Sequence, residues 1–148
     1  MRAVVTRVNS ASVTIGGQVR GKIDKKGLLV LLGVHQDDGE AEALKIADKI
    51  CGLRIFEDEN GKMNVNPADA GAELLIISQF TLFADCRSRR PGFSKAARPE
   101  AAIPLYELVV AECRRRGFKT DTGEFGAEMF VESVNDGPVT IILDTKEL

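Results

Sequence analysis

Histidine occurs once in this chain of 148 residues, and cysteine three times. Zinc sites draw on three or four Cys, His or carboxylate ligands, so a lone histidine with no Cys/His cluster gives little basis for one. A Ser-His-Asp relay would have to pass through His35. That residue follows the apolar run 28–34 and precedes Gln36-Asp37-Asp38-Gly39, so it is expected in a turn at a strand end and not in catalysis. Cys51, Cys86 and Cys113 are scattered and form no CxxC pair. They read as free thiols of a reducing compartment, without a disulfide framework. Long apolar runs are missing too. Nothing approaches the roughly 20 residues of a membrane helix, and the longest runs, 28–34 and 74–77, suit buried strands. Arg2 and Arg7 interrupt the apolar start, so no signal-peptide core is expected. The expectation is a cytoplasmic protein with no metal, no cofactor and no membrane partner.

What is present is the composition of an ordinary globular domain, 44% hydrophobic and 28% charged. The length suits one domain spanning 1–148. The net charge of −2 does not mark a nucleic-acid binder, but its distribution is uneven. Arg87, Arg89, Arg90, Lys95 and Arg98 follow one another with no acid between them. Such a segment can neutralise several phosphates, or it can be a solvated loop.

Periodicity predicts strands over 2–8 and 12–15, with Gly16-Gly17 as a two-residue hairpin turn. The run 28–34 is apolar on both faces, as a central strand would be. Asp37 and Glu40 have capping-box spacing before a helix whose apolar side is Leu44, Ala47, Ile50 and Cys51. Residues 54–56 and 62–64 flank a turn ending in Asn60-Gly61. Residues 73–83 are the longest strand candidate. Residues 100–116 form a helix with Ala102, Leu105, Tyr106, Val109 and Cys113 inward; Pro104 moves its expected start downstream, and Gly117 suits its end. Strands over 118–122, 126–134 and 139–144 complete the chain. The fold class is α+β: one domain, mostly antiparallel, with hairpins outnumbering helical crossovers.

Alternation along 73–83 puts Leu75, Ile77, Gln79, Thr81 and Phe83 on one face. Gln79 and Thr81 interrupt it as neighbours. Buried polar groups need partners, so either nearby loops satisfy them or they face a ligand cleft. Arg7 shares an apolar face with Ala3 and Val5 and needs acceptors, because it cannot shed its charge; the Gly137 or Pro138 carbonyl is the expected one. Phe125, Ala127, Met129 and Val131 alternate inward. Asn135-Asp136-Gly137-Pro138 makes a serviceable turn.

Ser78-Gln79-Phe80-Thr81-Leu82 and Asn135-Asp136-Gly137-Pro138-Val139-Thr140, in one chain of this length, resemble the motif pair of the D-aminoacyl-tRNA deacylases. That family is the bacterial and eukaryotic type once called D-tyrosyl-tRNA deacylases. The likeness extends from Met1-Arg2-Ala3-Val4-Val5 to Leu143-Asp144. It implies a curved, barrel-like sheet flanked by helices, in a homodimer. It implies an active site floored by Ser78, Gln79, Phe80 and Thr81, with backbone amides near Phe80 and Thr81 holding the ester carbonyl. A cis Gly137-Pro138 peptide from the partner subunit would reject L substrates, with Phe125 and Met129 at the pocket rim. Its substrates would be D-aminoacyl-tRNA and glycyl-tRNA, bound through Arg87, Arg89, Arg90, Lys95 and Arg98. An aminoacyl ester beside a ribose 2′-OH is already activated, so backbone donors suffice and Thr81 need not attack. Two other readings stay open: a noncatalytic dimeric nucleic-acid-binding module, and the animal paralogue that removes L-alanine. The latter typically opens the first motif with Pro-Gln, where this chain has Ser78-Gln79.

Overall fold

A computed structural model describes residues 1–148. Strand β1 (Arg2–Ile15) turns at Gly16-Gly17 into β2 (Gln18–Ile23), and β3 (Gly27–Gly33) follows. The two predicted N-terminal strands are one continuous strand. It is long because it has partners along its whole length: β3 beside residues 2–8, β2 beside residues 11–15, and β8 on the opposite edge. Gly16 and Gly17 both take positive φ (57° and 79°), as the two-residue hairpin requires.

Helix α1 (Glu40–Gly52) begins two residues later than the capping spacing suggested. Gly39 is the N-cap, and the Glu42 carboxylate accepts the Gly39 N–H at 2.7 Å. Its buried side is Ala43, Ile46, Ala47, Ile50 and Cys51; Leu44 faces solvent, contrary to expectation. The hairpin β4 (Phe56–Glu57) and β5 (Met63–Val65) precedes a short helix, α2 (Pro67–Ala70). Then β6 (Glu73–Ser78) runs parallel to β3, and a 3-10 turn covers Phe80–Phe83.

Helix α3 (Pro99–Arg115) starts before Pro104, not after it. Pro99 occupies the first turn, where a missing N–H costs nothing. Pro104 withholds a donor only from Glu100, whose carbonyl lies on the exposed flank of the opening turns. The C-terminus closes with Gly117 N–H on Arg114 O (2.9 Å) and Phe118 N–H on Cys113 O (3.2 Å), a Schellman pattern. Strands β7 (Thr120–Thr122) and β8 (Phe130–Asp144) complete the chain.

The main sheet runs β2-β1-β3-β6-β7, with β8 on the other edge of β1. Four strand pairings are antiparallel, and β3–β6 and β6–β7 are parallel. The sheet curls until it nearly closes into a barrel: Lys22 N–H on β2 reaches the Asp121 carboxylate on β7 at 2.9 Å. The result is an α+β domain.

Both faces of β3 and β6 are buried, as the unbroken apolar runs predicted. Leu28, Val30, Leu32, Leu74 and Ile76 pack under α1 and α3, while Leu29, Leu75 and Ile77 join Val8, Val13 and Ile23 inside the barrel. Each such side chain contributes about 1.5–3 kcal/mol by leaving water, which makes the β3–β6 pair the rigid centre. Between α1 and α3 the Cys51 and Cys113 sulfurs lie 3.7 Å apart, both as free buried thiols. Sequence spacing gave no hint of that meeting.

The β3–β6 junction tests this reading. A Cβ on Gly27 would collide with the Glu73 carbonyl and come within 2.7 Å of the Ile23 Cδ1 atom. Gly27→Ala is expected to lower stability by about 1–3 kcal/mol, the usual cost of overpacking. Urea titration should show an earlier midpoint with an unchanged slope.

Candidate active site

Pairing between β3 and β6 ends at Leu32 and Ser78, and pairing between β6 and β7 ends at Ile76 and Thr122. The Gln79 N–H makes one last bond to Leu32 O at 2.8 Å. Beyond it neither neighbour continues, and the chain turns to local bonds: Leu82 N–H to Gln79 O (3.3 Å) and Ala84 N–H to Thr81 O (3.1 Å). The predicted strand over 73–83 therefore stops at Ser78, and the expected alternation of Gln79, Thr81 and Phe83 does not exist. A 3-10 turn leaves its opening N–H groups without intrahelical acceptors. Those of Phe80 and Thr81 find no acceptor in the chain. The two polar side chains serve each other, Gln79 Nε2 donating to Thr81 Oγ1 at 2.6 Å. Thr81 itself is exposed.

The far end of the turn is braced from β1. Arg2 donates from Nη1 to Leu82 O at 2.8 Å, pairs with Asp144 at 2.9 Å, and lies 4.8 Å over the Phe83 ring. His35 packs its edge on the same ring at 5.1 Å, and its Nδ1 accepts the Asp37 N–H at 3.1 Å. It sits in the strand-end turn expected of it.

A cavity of about 270 Å³ opens beside this turn, and most of its wall is apolar. Ser78, Gln79 and Phe80 form one side, and Phe125, Ala127, Met129 and Val131 another. The odd-numbered residues from 125 do face inward, although 125–127 is a turn and bend and the strand begins only at Phe130. Sequence reasoning did not assign Leu32, Val34, Ala97, Ala102 and Tyr106 to the wall, which they also line. Tyr106 carried the one available signal, as the only tyrosine in the chain, on an otherwise aliphatic helix face. Its hydroxyl donates to Ile76 O at 2.6 Å, its ring meets Phe125 edge-on at 6.1 Å, and burial pushes its pKa up to about 12.

Phe80, Ala97 and Phe125 also border a second, wider cavity of about 900 Å³. It leads past Phe93, Ser94 and Arg98 at the start of α3. Ser94 is shared in turn with a polar depression formed by Asp85, Arg87, Ser88, Arg90 and Gly92. The basic loop, closed by the Asp85–Gly92 bridge, thus stands at the far end of a continuous path from the first cavity. Its five cations are all exposed. Arg87 is taken up by Asp85 at 2.6 Å and Arg98 touches Glu100 at 4.0 Å, whereas Arg89, Arg90 and Lys95 have no carboxylate partner.

Arg7, Gly137 and Pro138 form a separate cluster. Opposite the step from Thr6 to Val8 on β1, β8 advances from Thr140 to Asn135. Residues 136–139 therefore bulge out against Arg7 alone. The Gly137-Pro138 peptide within that bulge is cis, and both residues are exposed. Arg7 is 4% exposed. It donates to Ile55 O at 2.7 Å and to Asp136 O at 3.3 Å, and pairs with the Asp136 carboxylate at 3.2 Å. The expected acceptor, a Gly137 or Pro138 carbonyl, is thus replaced by the carbonyl one residue earlier. The reason is geometric: Arg7 grips the base of the bulge while its tip projects away from the sheet. At Gly137, with φ of 124°, a Cβ would come within 2.9 Å of the Val139 N atom and 3.2 Å of Arg7 Nη2. Neither Gly137 nor Pro138 lines the cavity of its own chain, and neither does Thr81. No three His, Cys, Asp or Glu side chains converge in a way that would hold a metal ion, and no helix is long and apolar enough to cross a membrane.

The same frame recurs in known proteins. The family model described as D-Tyr-tRNA(Tyr) deacylase matches residues 4–144. The D-aminoacyl-tRNA deacylase of Koribacter versatilis (strain Ellin345) is 58% identical over 148 residues, covering 99% of each chain. That of Clostridioides difficile (strain 630) is 56% identical over 148 residues, again covering 99% of each. Among solved structures, the c-Myc DNA Unwinding Element Binding Protein is 40% identical with a TM-score of 0.91, covering 97% of this chain and 98% of its own. A probable eukaryotic D-amino acid tRNA deacylase, at 12% identity and a TM-score of 0.83, shares the fold. Matches of this extent to both sequence and fold leave one conclusion: the chain belongs to the D-aminoacyl-tRNA deacylase family and is a hydrolase of that family.

Proposed function

We propose that this protein hydrolyses the ester of D-aminoacyl-tRNA in the cytoplasm, working as a homodimer in which the Gly137-Pro138 tip of one subunit covers the cavity of the other. The observation that carries the reading is the pair of unpartnered N–H groups at Phe80 and Thr81 beside an apolar cavity. Two fixed backbone donors in a partly dry site are what an ester oxyanion needs, and they require no reorganisation as charge develops. Water attacks the ester carbonyl, its oxygen forming the new C–O bond. The bond to the ribose oxygen breaks, and that oxygen leaves with the proton as a hydroxyl. The substrate's neighbouring 2′-OH helps to activate the water. The wider cavity takes the end of the tRNA, and the basic loop beyond it meets phosphates.

Selection of D over L follows from the bulge. Carbonyl oxygens at Gly137 and Pro138 suit the substrate's α-ammonium and leave no room for a side chain on the L side. Glycine, having no side chain, passes the same test, so glycyl-tRNA is also a substrate. Self-association is supported by the unpartnered edge strand β8, on which Phe130 (68%), Val134 (57%) and Ile142 (69%) are exposed. Exposed apolar groups along an open strand edge are a liability unless another chain covers them. A second reading, a nucleic-acid-binding module without chemistry, is favoured by the basic loop and by the name of the 40%-identical c-Myc DNA Unwinding Element Binding Protein. Release of D-tyrosine from D-tyrosyl-tRNA by purified protein separates the two, with L-tyrosyl- and L-alanyl-tRNA as chirality controls.

Three outcomes are expected. Thr81→Ala retains deacylation within roughly tenfold, because the nucleophile is water; an attacking threonine would instead show a loss of about 10⁴-fold or more and a trappable ester at Thr81 in single-turnover reactions.

Replacing Arg89 and Arg90 by Ala weakens tRNA binding and lowers its log–log salt slope by about two, one per phosphate contact. Arg87→Ala adds less, since Asp85 already engages that side chain. Discrimination of D from L is unchanged in all three variants; normal tRNA binding by them would reduce the cluster to a solvated loop.

Ile142→Glu places a charge on the exposed β8 face and should convert a dimer to a folded monomer of 16.1 kDa with little activity. Sedimentation of the unaltered protein as a monomer would remove the cross-subunit filter.

A further inference from the structure

The end of β6 needs support that the sheet does not provide. Leu74 N–H bonds to Lys119 O at 3.0 Å, so the backbone groups of Leu74, Ile76 and Ser78 face the β7 edge. β7 stops at Thr122, opposite Ile76. The Ile76 carbonyl is the first on that edge for which no strand supplies a donor, and it is buried. The Tyr106 hydroxyl reaches it from α3 at 2.6 Å. Two residues further on is Ser78, which lines the cavity, and the turn with its free N–H groups follows at once. Arg2 braces the turn's other end at Leu82 O.

We propose that Tyr106 is a positioning residue for the hydrolysis: its hydroxyl anchors the end of β6, and so holds in place the turn whose Phe80 and Thr81 N–H groups lie free beside the cavity. This rests on the deacylase reading above. The ring fills the cavity wall against Phe125 and would do so without the hydroxyl. The hydroxyl is committed to Ile76 O, and burial keeps it protonated up to about pH 12. It therefore acts through the backbone and not as an acid or base. A loose carbonyl at Ile76 admits water from the cavity and lets the following residues shift, and shifts of about 1 Å at a reacting centre cost up to about 100-fold.

The test compares D-tyrosyl-tRNA hydrolysis by the unaltered protein, Tyr106→Phe and Val109→Ala. Val109 is fully buried on the same helix but lines no part of the cavity; its truncation matches a loss of helix stability without touching the anchor. Tyr106→Phe should lower kcat about tenfold or more with KM changed less than about twofold, a loss confined to the transition state. Its pH–rate profile should keep its shape, and Val109→Ala should retain kcat despite a lower Tm. Tyr106 is the only tyrosine, so 3-fluorotyrosine incorporated throughout the chain alters this site alone and keeps the donor; it should restore kcat. Unchanged kcat in Tyr106→Phe, an equal fall in Val109→Ala, an altered pH profile, or failure of the fluorotyrosine protein would each overturn the proposal while the deacylase reading stood. Absence of hydrolysis by the unaltered protein would instead overturn that reading, and the role of Tyr106 with it.

Discussion

Backbone groups that leave a β-ladder must find partners elsewhere, and the candidate site of this protein is built where they do not. Strand β6 is held on one side by β3 as far as Ser78, and on the other by β7 only as far as Ile76. An unpaired buried N–H or C=O is costly, so the chain closes a 3-10 turn and satisfies Leu82 and Ala84 from within. The first two N–H groups of the turn remain free. They are free because of chain geometry, and they are rigid because β6 behind them is locked into a core that is buried on both faces. A pair of fixed backbone donors is the kind of arrangement that can meet a developing negative charge, as the proposed hydrolysis requires.

The β8 bulge obeys a related rule. Four residues, 136–139, oppose Arg7 alone, so their backbone cannot enter the ladder and must project. Arg7 holds the base of the projection through the Asp136 carbonyl and carboxylate, and ties it to Ile55 O, just before β4. A guanidinium suits this place because it stays charged when buried and its planar fork serves several acceptors together. The tip is thereby held at its base and exposed, away from the cavity of its own chain. The same strand carries exposed apolar side chains along an open edge, and a second copy of the chain would answer both features.

The path from cavity to basic loop joins two surfaces of different character. Apolar walls and backbone donors lie at one end, and unpaired arginines lie at the other. The net charge of −2 conceals this arrangement, because the acids that balance the loop are elsewhere on the surface. Within the loop only Arg87, engaged by Asp85, and Arg98, which touches Glu100, have a carboxylate partner.

Much of the fold was legible in the residues. Runs apolar on both faces marked β3 and β6 as central, Gly16-Gly17 marked the first hairpin, and inward spacing on α3 named Ala102, Tyr106, Val109 and Cys113 correctly. These signals are local: periodicity and turn chemistry act between near neighbours. The two motifs mark the segments that form the 3-10 turn beside the cavity and the β8 bulge. What each segment does was not local. Residues 79–83 carry a strand-like pattern, and only the early ends of β3 and β7 turn them into a 3-10 turn. Arg7 needed an acceptor on sequence grounds, yet which carbonyl it takes depends on a four-residue bulge in a strand more than a hundred positions away. Tyr106 reads as a core residue until Ile76 is seen to lack a partner. Composition and pattern thus determined which elements form and which side chains are buried; the lengths of neighbouring strands, decided only in the assembled sheet, determined which backbone groups were left free.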